Sequence, residues 1–235
     1  MRSVLLAILS CTSLFSTAQL LSSEEWQVRS DADIRLKPRY GDRGIGEVNA
    51  AVDEDVFVMI TNNRDKKLAV SDSLVKLGWE RLKKNDHVGS MVRFNEAWLA
   101  MPKNPEVHRA FGAYFMSMKR PLEAHDNFQA GIAIDSTYAP LLKEEALAYM
   151  QERYQMQQEG RTRKAEINLD NAYTLLVRAH DLDPRDPVTV YNLFICYVLK
   201  LNCPKAWEFH DKVVAMKERT IEDMYLARLK ESCSR

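Results

Sequence analysis

Apolar residues recur at the spacing of an amphipathic helix through most of the chain after residue 70. Each such stretch leads through a short polar turn into another, so the pattern predicts pairs of helices. Small residues stand among the large ones, and they allow two helices to cross closely. In the first pair the large and small residues of this pattern are Leu74, Leu77, Gly78, Phe94 and Ala97. In the second pair they are Phe111, Gly112, Phe115, Ala124 and Phe128.

Two similar strings, Met101–Pro105 and Asp183–Pro187, each place prolines three residues apart and mark the ends of helix pairs. The distance between them is two periods of about 34 residues plus about 14 more. A period of about 34 residues, with a small residue in each helix, is the pattern of the tetratricopeptide repeat. The chain therefore resembles the tetratricopeptide repeat (TPR) family. The string Phe94–Leu99 also resembles one in uncharacterised exported bacterial TPR proteins.

The resemblance implies an all-α fold, an α-solenoid of about four helix-turn-helix repeats with a C-terminal capping helix. The register places the TPR domain at 71–220 and the capping helix at 221–235, where Ile221, Met224, Tyr225 and Leu229 share one helical face. The four units are 71–104, 105–138, 139–186 and 187–220.

The third unit is longer than the others, and Gly160 is its one expected turn. The flanking segments read as helix, so the extra length should extend both helices by about two turns. We expect a helical hairpin around 150–165 with a basic tip formed by Arg161, Arg163 and Lys164.

Residues 19–70 do not fit the repeat. Pro38–Gly46 holds three of the eight glycines and is expected to be an irregular loop. Glu47–Ile60 is expected to be a helix, and Asn62 or Asn63 could cap the helix that enters the first unit.

Residues 1–18 have the layout of a signal peptide. Arg2 precedes a mostly apolar stretch from Val4 to Phe15, which is much shorter than the ~20 residues of a membrane helix. Ser16-Thr17-Ala18 then offers a cleavage site. We expect an exported protein, periplasmic or secreted. The alternative is a lipoprotein anchored through Cys11, and only in that form would the protein associate with a membrane.

Composition and motifs mainly exclude certain classes of function. The chain has 33 basic and 33 acidic residues, so no overall field favours nucleic acid as a partner. The sequence contains neither HExxH nor CxxC, and its scattered histidines suggest packing rather than ligation. We therefore expect no enzyme activity, no cofactor and no metal site.

The family resemblance implies that one face of the first helix in each unit lines a concave groove. Aromatic residues and methionines beside cations on this face suit a partner helix or an extended peptide. The alternative is that they pack against the N-terminal segment of the same chain. The chain does not reproduce the residues with which grooves of this family clamp a C-terminal carboxylate: Asn192 alone matches a type, in the wrong unit. The expected groove residues are Lys76, Trp79, Lys83, Arg109, Met116, Lys143, Met150, Tyr191, Asn192 and Ile195.

Cleavage of the leader would leave three cysteines, an odd number that cannot all pair within one chain. In the repeat register Cys203 and Cys233 lie near the ends of neighbouring first helices, so they are the one candidate bridge. The alternative is two free, part-buried thiols.

The sequence thus predicts a protein-protein interaction scaffold of the cell envelope that binds another protein or a peptide. Two alternatives remain open. One is a module that binds a small ligand or substrate in the same groove. The other is a protein that assembles with itself, as a homo-oligomer, through the 150–165 hairpin.

Overall fold

A computed structural model describes residues 21–48 and 52–234, and these residues form helices and turns with no strand. The fold is an all-α solenoid in which consecutive helices pack as antiparallel pairs. The N-terminal elements are α1 (Ser23–Ala32), α2 (Arg39–Asp42), α3 (Ile45–Val48) and α4 (Glu54–Asn62). The repeats comprise α5 (Lys67–Lys83), α6 (His87–Ala100), α7 (Pro105–Ser117), α8 (Pro121–Ile134), α9 (Ala139–Gln158), α10 (Thr162–Leu182), α11 (Pro187–Leu199) and α12 (Cys203–Met216), and α13 (Asp223–Ser232) follows.

The turns inside the four pairs share one backbone conformation. In each pair one residue has a left-handed φ between 56° and 70°, two residues before the second helix begins. These residues are Asn85, Lys119, Gly160 and Leu201. A left-handed residue ends a helix and reverses the chain in few residues. The interval from Asn85 to Lys119 is one period of about 34 residues. The next two intervals, to Gly160 and then to Leu201, are each longer by about two helical turns, because the third pair is extended. The geometry therefore repeats with the period that the sequence predicts.

Polar side chains cap several helices of the repeats. Asp86 accepts a hydrogen bond from the backbone of Gly89 at 2.9 Å, and Asn104 and Asp186 cap α7 and α11 in the same way. Such a cap contributes about 1 kcal/mol, because it satisfies a backbone N–H that the helix itself cannot.

Two glycines set the close crossing of the first two pairs. A Cβ atom built on Gly78 would lie 2.3 Å from the ring of Phe94, and one on Gly112 would lie 2.2 Å from the ring of Phe128. Both rings are completely buried. The missing side chain is thus the space that the aromatic ring of the partner helix fills.

The third pair forms the projecting hairpin. α9 has 20 residues and α10 has 21, against 13 and 14 in the second pair, so each helix is longer by seven residues or about two turns. Gly160 makes the turn, and the basic side chains that follow it are exposed.

The N-terminal segment packs mainly against α6 and also contacts α5 and α7. The Asn95 amide of α6 donates to the backbone oxygens of Arg35 and Lys37, at 2.8 and 2.9 Å. Trp26 of α1 packs edge-on against Phe115 with 5.2 Å between ring centroids, and the Arg120 guanidinium lies 4.5 Å from the Trp26 ring centroid. These contacts bury the segment against the first two repeats.

Three local expectations are wrong. The helix expected over Glu47–Ile60 is not continuous, because α3 ends at Val48 and α4 begins at Glu54. Asn62 ends α4, and neither it nor Asn63 caps α5, whose N-cap position is Lys66. Leu77 remains 46% exposed, because the first repeat has no preceding repeat to cover that side of α5.

The C-terminal helix α13 packs against α11 and α12. Its Leu229 is fully buried, and Cys233 follows it at the C-cap. Cys233 is joined to Cys203 by a disulfide with a Cα–Cα distance of 5.3 Å. Cys203 is the first residue of α12, so the bridge runs to the second helix of the fourth pair and not to its first helix.

Within the described segments we find no helix with the length and apolar character that crossing a membrane requires. The predicted leader at 1–18, including Cys11, lies outside the described residues and remains an expectation.

Candidate binding groove

A groove of about 930 Å³ runs along the concave face formed by α5, α7 and the start of α9. One stripe of α5 forms its first wall, and the turns that enter α7 and α9 form part of the second. The lining residues are Leu68, Asp72, Val75, Lys76, Trp79, Glu80, Lys83, Asn104, Pro105, Glu106, Arg109, Ala113, Tyr138 and Glu144.

Glu106 is the centre of a polar network inside this groove. Its carboxylate accepts two hydrogen bonds from the Arg109 guanidinium, at 2.6 and 2.7 Å. The Tyr138 hydroxyl donates to it at 2.7 Å, and the Trp79 indole N–H donates at 3.1 Å. Arg109 also donates to Glu144 at 3.1 Å. The network therefore joins the first helices of three successive repeats.

The electrostatics of the network favour its charged form. Burial alone would raise the pKa of Glu106, but the hydrogen bonds and charge of Arg109, with those of Tyr138 and Trp79, hold that pKa below its ordinary value. Burial would lower the pKa of Arg109, but its carboxylate partners raise it. Burial and then Glu106 raise the pKa of Tyr138. The ion pair thus persists through the neutral pH range.

Trp79 is held rigidly, although it is only half-buried. The Arg109 guanidinium lies 4.8 Å from the centroid of its ring, and Phe94 packs edge-on against it at 5.6 Å. A rigid aromatic side chain that is partly open to the groove can contact a partner with little loss of conformational entropy.

Of the ten predicted groove residues, Lys76, Trp79, Lys83 and Arg109 line this groove. Both lysines are exposed and have no ion-pair partner among the described residues. They lie on the same face of α5, on either side of Trp79, so a partner in the groove would meet two available cations.

The other predicted groove residues lie elsewhere. Lys143 donates to Asp186 at 2.9 Å within the third and fourth repeats. Met116 and Met150 are partly buried against the two hydrophobic cores, and the Met150 sulfur is 4.0 Å from that of Cys196.

Tyr191, Asn192 and Ile195 are buried by their own chain, with exposures of 5%, 8% and 5%. The Tyr191 hydroxyl donates to Glu222 in the segment before α13, at 3.3 Å. The expectation of an open groove on the fourth unit is therefore corrected. α11 is buried at every residue from Thr189 to Val198, and the C-terminal segment packs on the face that a partner would need.

Ten of the fourteen lining residues are outside the predicted set, and three of them, Glu106, Tyr138 and Glu144, belong to the polar network. Glu106 lies one period of about 34 residues after Asp72, and Glu144 lies two periods after Lys76, so the repeat register places both on the groove face. Asn104 and Tyr138 end the first and second units and are one period of about 34 residues apart, so their equivalent places in the repeat were a usable signal. No residue before Leu68 in the described part of the chain lines the groove, so the described N-terminal residues do not fill it.

A second polar cluster lies between the second and third repeats. The Nδ1 atom of His125 is 3.0 Å from Glu145, its Nε2 atom is 3.3 Å from Glu152, and its ring stacks on Tyr149 at 4.3 Å. Burial would lower the pKa of His125, but the two carboxylates raise it. His125 thus gives Glu145, which is only 2% exposed, a hydrogen-bonding partner in the interior.

Among residues 21–48 and 52–234, no group of three or more His, Cys, Asp or Glu side chains has a geometry suited to a metal ion. The polar groups of the Glu106 network are hydrogen-bonded to one another. The remaining apolar and cationic surface of the groove can therefore bind and orient a partner.

Comparison with solved structures identifies the fold. PilF of Pseudomonas aeruginosa superimposes with a TM-score of 0.54 and 18% identity, over 72% of this chain and 69% of PilF. TTC0263, a thermophilic TPR protein of Thermus thermophilus, gives 0.52 and 17%, over 69% of this chain and 80% of that protein. No protein-family model and no curated protein matches the sequence. The chain thus has the all-α solenoid fold of TPR proteins, and identities this low establish the fold alone.

Proposed function

We propose that this protein is a non-catalytic interaction scaffold that binds a partner helix or an extended peptide in the groove between α5, α7 and α9. The observation that carries the proposal is the rigid, half-buried Trp79 between two cations with no ion-pair partner among the described residues, in a groove that those residues leave open. Aromatic anchors flanked by charged groups are typical of the centres of protein interfaces.

The energetic role of the Glu106 network is to prepare the groove before a partner arrives. Because Arg109, Tyr138 and Trp79 are already hydrogen-bonded to one carboxylate, binding need not order them. The affinity then depends on desolvation of the apolar wall formed by Leu68, Trp79 and neighbouring residues, and on charge pairing with the lysines.

The test is site-specific photocrosslinking in extracts of the native host. A photoreactive residue at Lys76 reports on the groove, and one at exposed Ala133 on α8 is the matched control. We expect a discrete adduct from position 76 that is absent from position 133. The adduct should weaken at least about tenfold in the Trp79→Ala background, because loss of a hot-spot residue costs ~2 kcal/mol or more. Equal labelling from both positions would reject the groove as the binding site.

We also propose that the protein acts outside the cytoplasm, in the periplasm or as a secreted protein. Two features support export: the signal-peptide layout of residues 1–18 and the Cys203–Cys233 disulfide, a bond that persists mainly in oxidising compartments. The intact mass of the mature protein distinguishes cleavage after Ala18 from lipidation at Cys11. An unprocessed N-terminus in the native host would contradict both.

Self-association through the hairpin is a second candidate function, because Tyr154 and Ile167 on α9 and α10 are 61% and 51% exposed. Light scattering of the full chain and of a Tyr154→Ser/Ile167→Ser variant tests it. A small ligand is a third candidate, since the groove volume is within the range of ligand sites, roughly 300 to 1,000 Å³. Thermal-shift screening with metabolites, with Trp79→Ala as the control, tests for such a ligand.

A further inference from the structure

The C-terminal segment covers a second surface, separate from the groove, on the face of α11 that carries Tyr191 and Ile195. We call this face the lid surface. The Tyr191 hydroxyl donates to Glu222, and the Arg219 guanidinium lies 5.4 Å from the Tyr191 ring centroid. Tyr191 and Ile195 occupy the positions that line the concave groove in other units, so α13 sits where a partner would otherwise bind.

The non-covalent hold on α13 is moderate. Leu229 is the only fully buried residue of this ten-residue helix, Tyr225 is partly buried against the same core, and Met224 is 62% exposed. A helix of this length is marginal on its own. The preceding residues 217–222 are irregular and largely exposed, and they begin at Lys217 with a left-handed φ of 58°.

Charge also weakens this contact. Arg153, on the extension of α9, has a buried Nε atom without a hydrogen-bond partner in the described structure. Burial lowers the pKa of Arg153, Tyr225 on α13 raises it, and the positive charge of Arg228 on α13 lowers it. The charges of Arg153 and Arg228 thus repel each other.

The covalent hold lies at the far end of the helix. The disulfide ties Cys233, immediately after α13, to Cys203 at the start of α12, and the Trp207 indole donates to the Cys233 carbonyl at 3.3 Å. Cys203 is partly exposed, whereas Cys233 is 3% exposed. A reductant therefore reaches the Cys203 sulfur more readily.

We propose that the Cys203–Cys233 disulfide is a redox latch that holds α13 as a lid over the lid surface, and that the opened surface accepts an amphipathic helix with the apolar spacing of α13. That spacing is Tyr225 and Leu229, four residues apart on one face of α13, with Ile221 packed against the same core just before the helix. In the closed state α13 of the same chain occupies the lid surface. A partner that competes with α13 must therefore present a helix with similar apolar residues.

The opening reaction needs a dithiol reductant. One thiolate of the dithiol attacks the Cys203 sulfur, the disulfide bond breaks, and Cys233 leaves as a thiolate that takes up a proton. The second thiol of the reductant then attacks the mixed disulfide and releases Cys203. The products are two cysteine thiols and one reductant disulfide, so two electrons and two protons pass to the protein.

Cys196 reports on opening, because it is the one free cysteine among the described residues, is completely buried, and lies on α11, the helix against which α13 packs. The measurement is maleimide labelling of Cys196, resolved by peptide mass spectrometry. It compares the oxidised chain, the dithiothreitol-reduced chain and the Cys203→Ser/Cys233→Ser variant. We expect labelling to accelerate at least about tenfold in the last two, since closing a loop of this size favours the docked state by a larger factor.

A second measurement tests the surface itself. The probe is a fluorescent peptide of residues 219–233 with serine at position 233, and the receptor is the double serine variant with Leu229→Asp added to keep the tethered lid undocked. We expect binding to this receptor, none to the oxidised chain, and none with a control peptide that carries L229D.

The outcomes are separable. Unchanged Cys196 labelling after reduction would overturn the latch. Faster labelling accompanied by loss of helical circular dichroism across the chain would show that the disulfide stabilises the whole fold, and would also overturn it. Retained fold with faster labelling but no peptide binding would overturn the docking surface. None of these results bears on the separate groove around Trp79.

Discussion

Glu106 is the carboxylate on which three groove side chains converge, and Glu106→Gln tests whether that network holds the groove together. The substitution keeps the shape of the side chain and removes its charge. An amide nitrogen replaces one oxygen, so a donor then faces groups that also donate. Arg109 can keep one hydrogen bond to the remaining carbonyl oxygen, without the charge, and its 3.1 Å hydrogen bond to Glu144.

The magnitude follows from the hydrogen bonds that the substitution removes. Arg109 makes two short charge-assisted hydrogen bonds to Glu106, each with a net value of about 1.5–3 kcal/mol. Breaking a fully buried pair costs about 3–5 kcal/mol, and the 19% and 21% exposure of these side chains reduces that cost. We expect a loss of about 2–3 kcal/mol in the free energy of unfolding, equivalent to a fall of roughly 5–10 °C in Tm for a chain of this size.

The assay is urea unfolding at several pH values, with Glu80→Gln as the control. Glu80 lines the same groove but is exposed and has no ion-pair partner among the described residues, so its change should stay within about 0.5 kcal/mol. The pKa of Glu106 is lowered below 4.5 in the folded chain, so its contribution is present above the unfolded pKa and is lost as the pH falls through the folded pKa. The difference in the free energy of unfolding between wild type and Glu106→Gln should therefore become smaller at acid pH. Equal effects of the two substitutions, or a gap independent of pH, would refute the reasoning.

Two further substitutions test the packing and the second polar cluster. Gly112→Ala should destabilise by about 1–3 kcal/mol in urea unfolding, because the new Cβ would lie 2.2 Å from the buried Phe128 ring, whereas Gly44→Ala, with open space around it, should be nearly neutral. The raised pKa of His125 means that its interaction with Glu145 stabilises the fold below the unfolded pKa and is lost as the pH rises through the folded pKa. Unfolding at pH 5.5 and 8.5 should therefore show a larger advantage of wild type over His125→Asn at the lower pH, and the opposite trend would contradict the geometry.

Much of the fold could be predicted from the sequence because helix pairs are local structures. The repeat spacing, the small residues Gly78 and Gly112, and the extra length of the third unit each act within one pair of neighbouring helices. Helical periodicity, capping and the length of a hairpin depend on residues close in sequence, so a repeat register read from the chain describes them well.

The candidate site could be predicted only in part, because exposure depends on what covers a face. Lys76, Trp79, Lys83 and Arg109 line an open groove, whereas Tyr191 and Ile195, at comparable repeat positions, lie under the C-terminal segment. The repeat pattern is the same in both places. The difference arises from contacts between distant segments: α13 docks on α11, whereas the N-terminal segment packs mainly on α6 and does not line the groove. The sequence by itself thus determined the solenoid and its concave face, and only the tertiary structure decided which part of that face remains available to a partner.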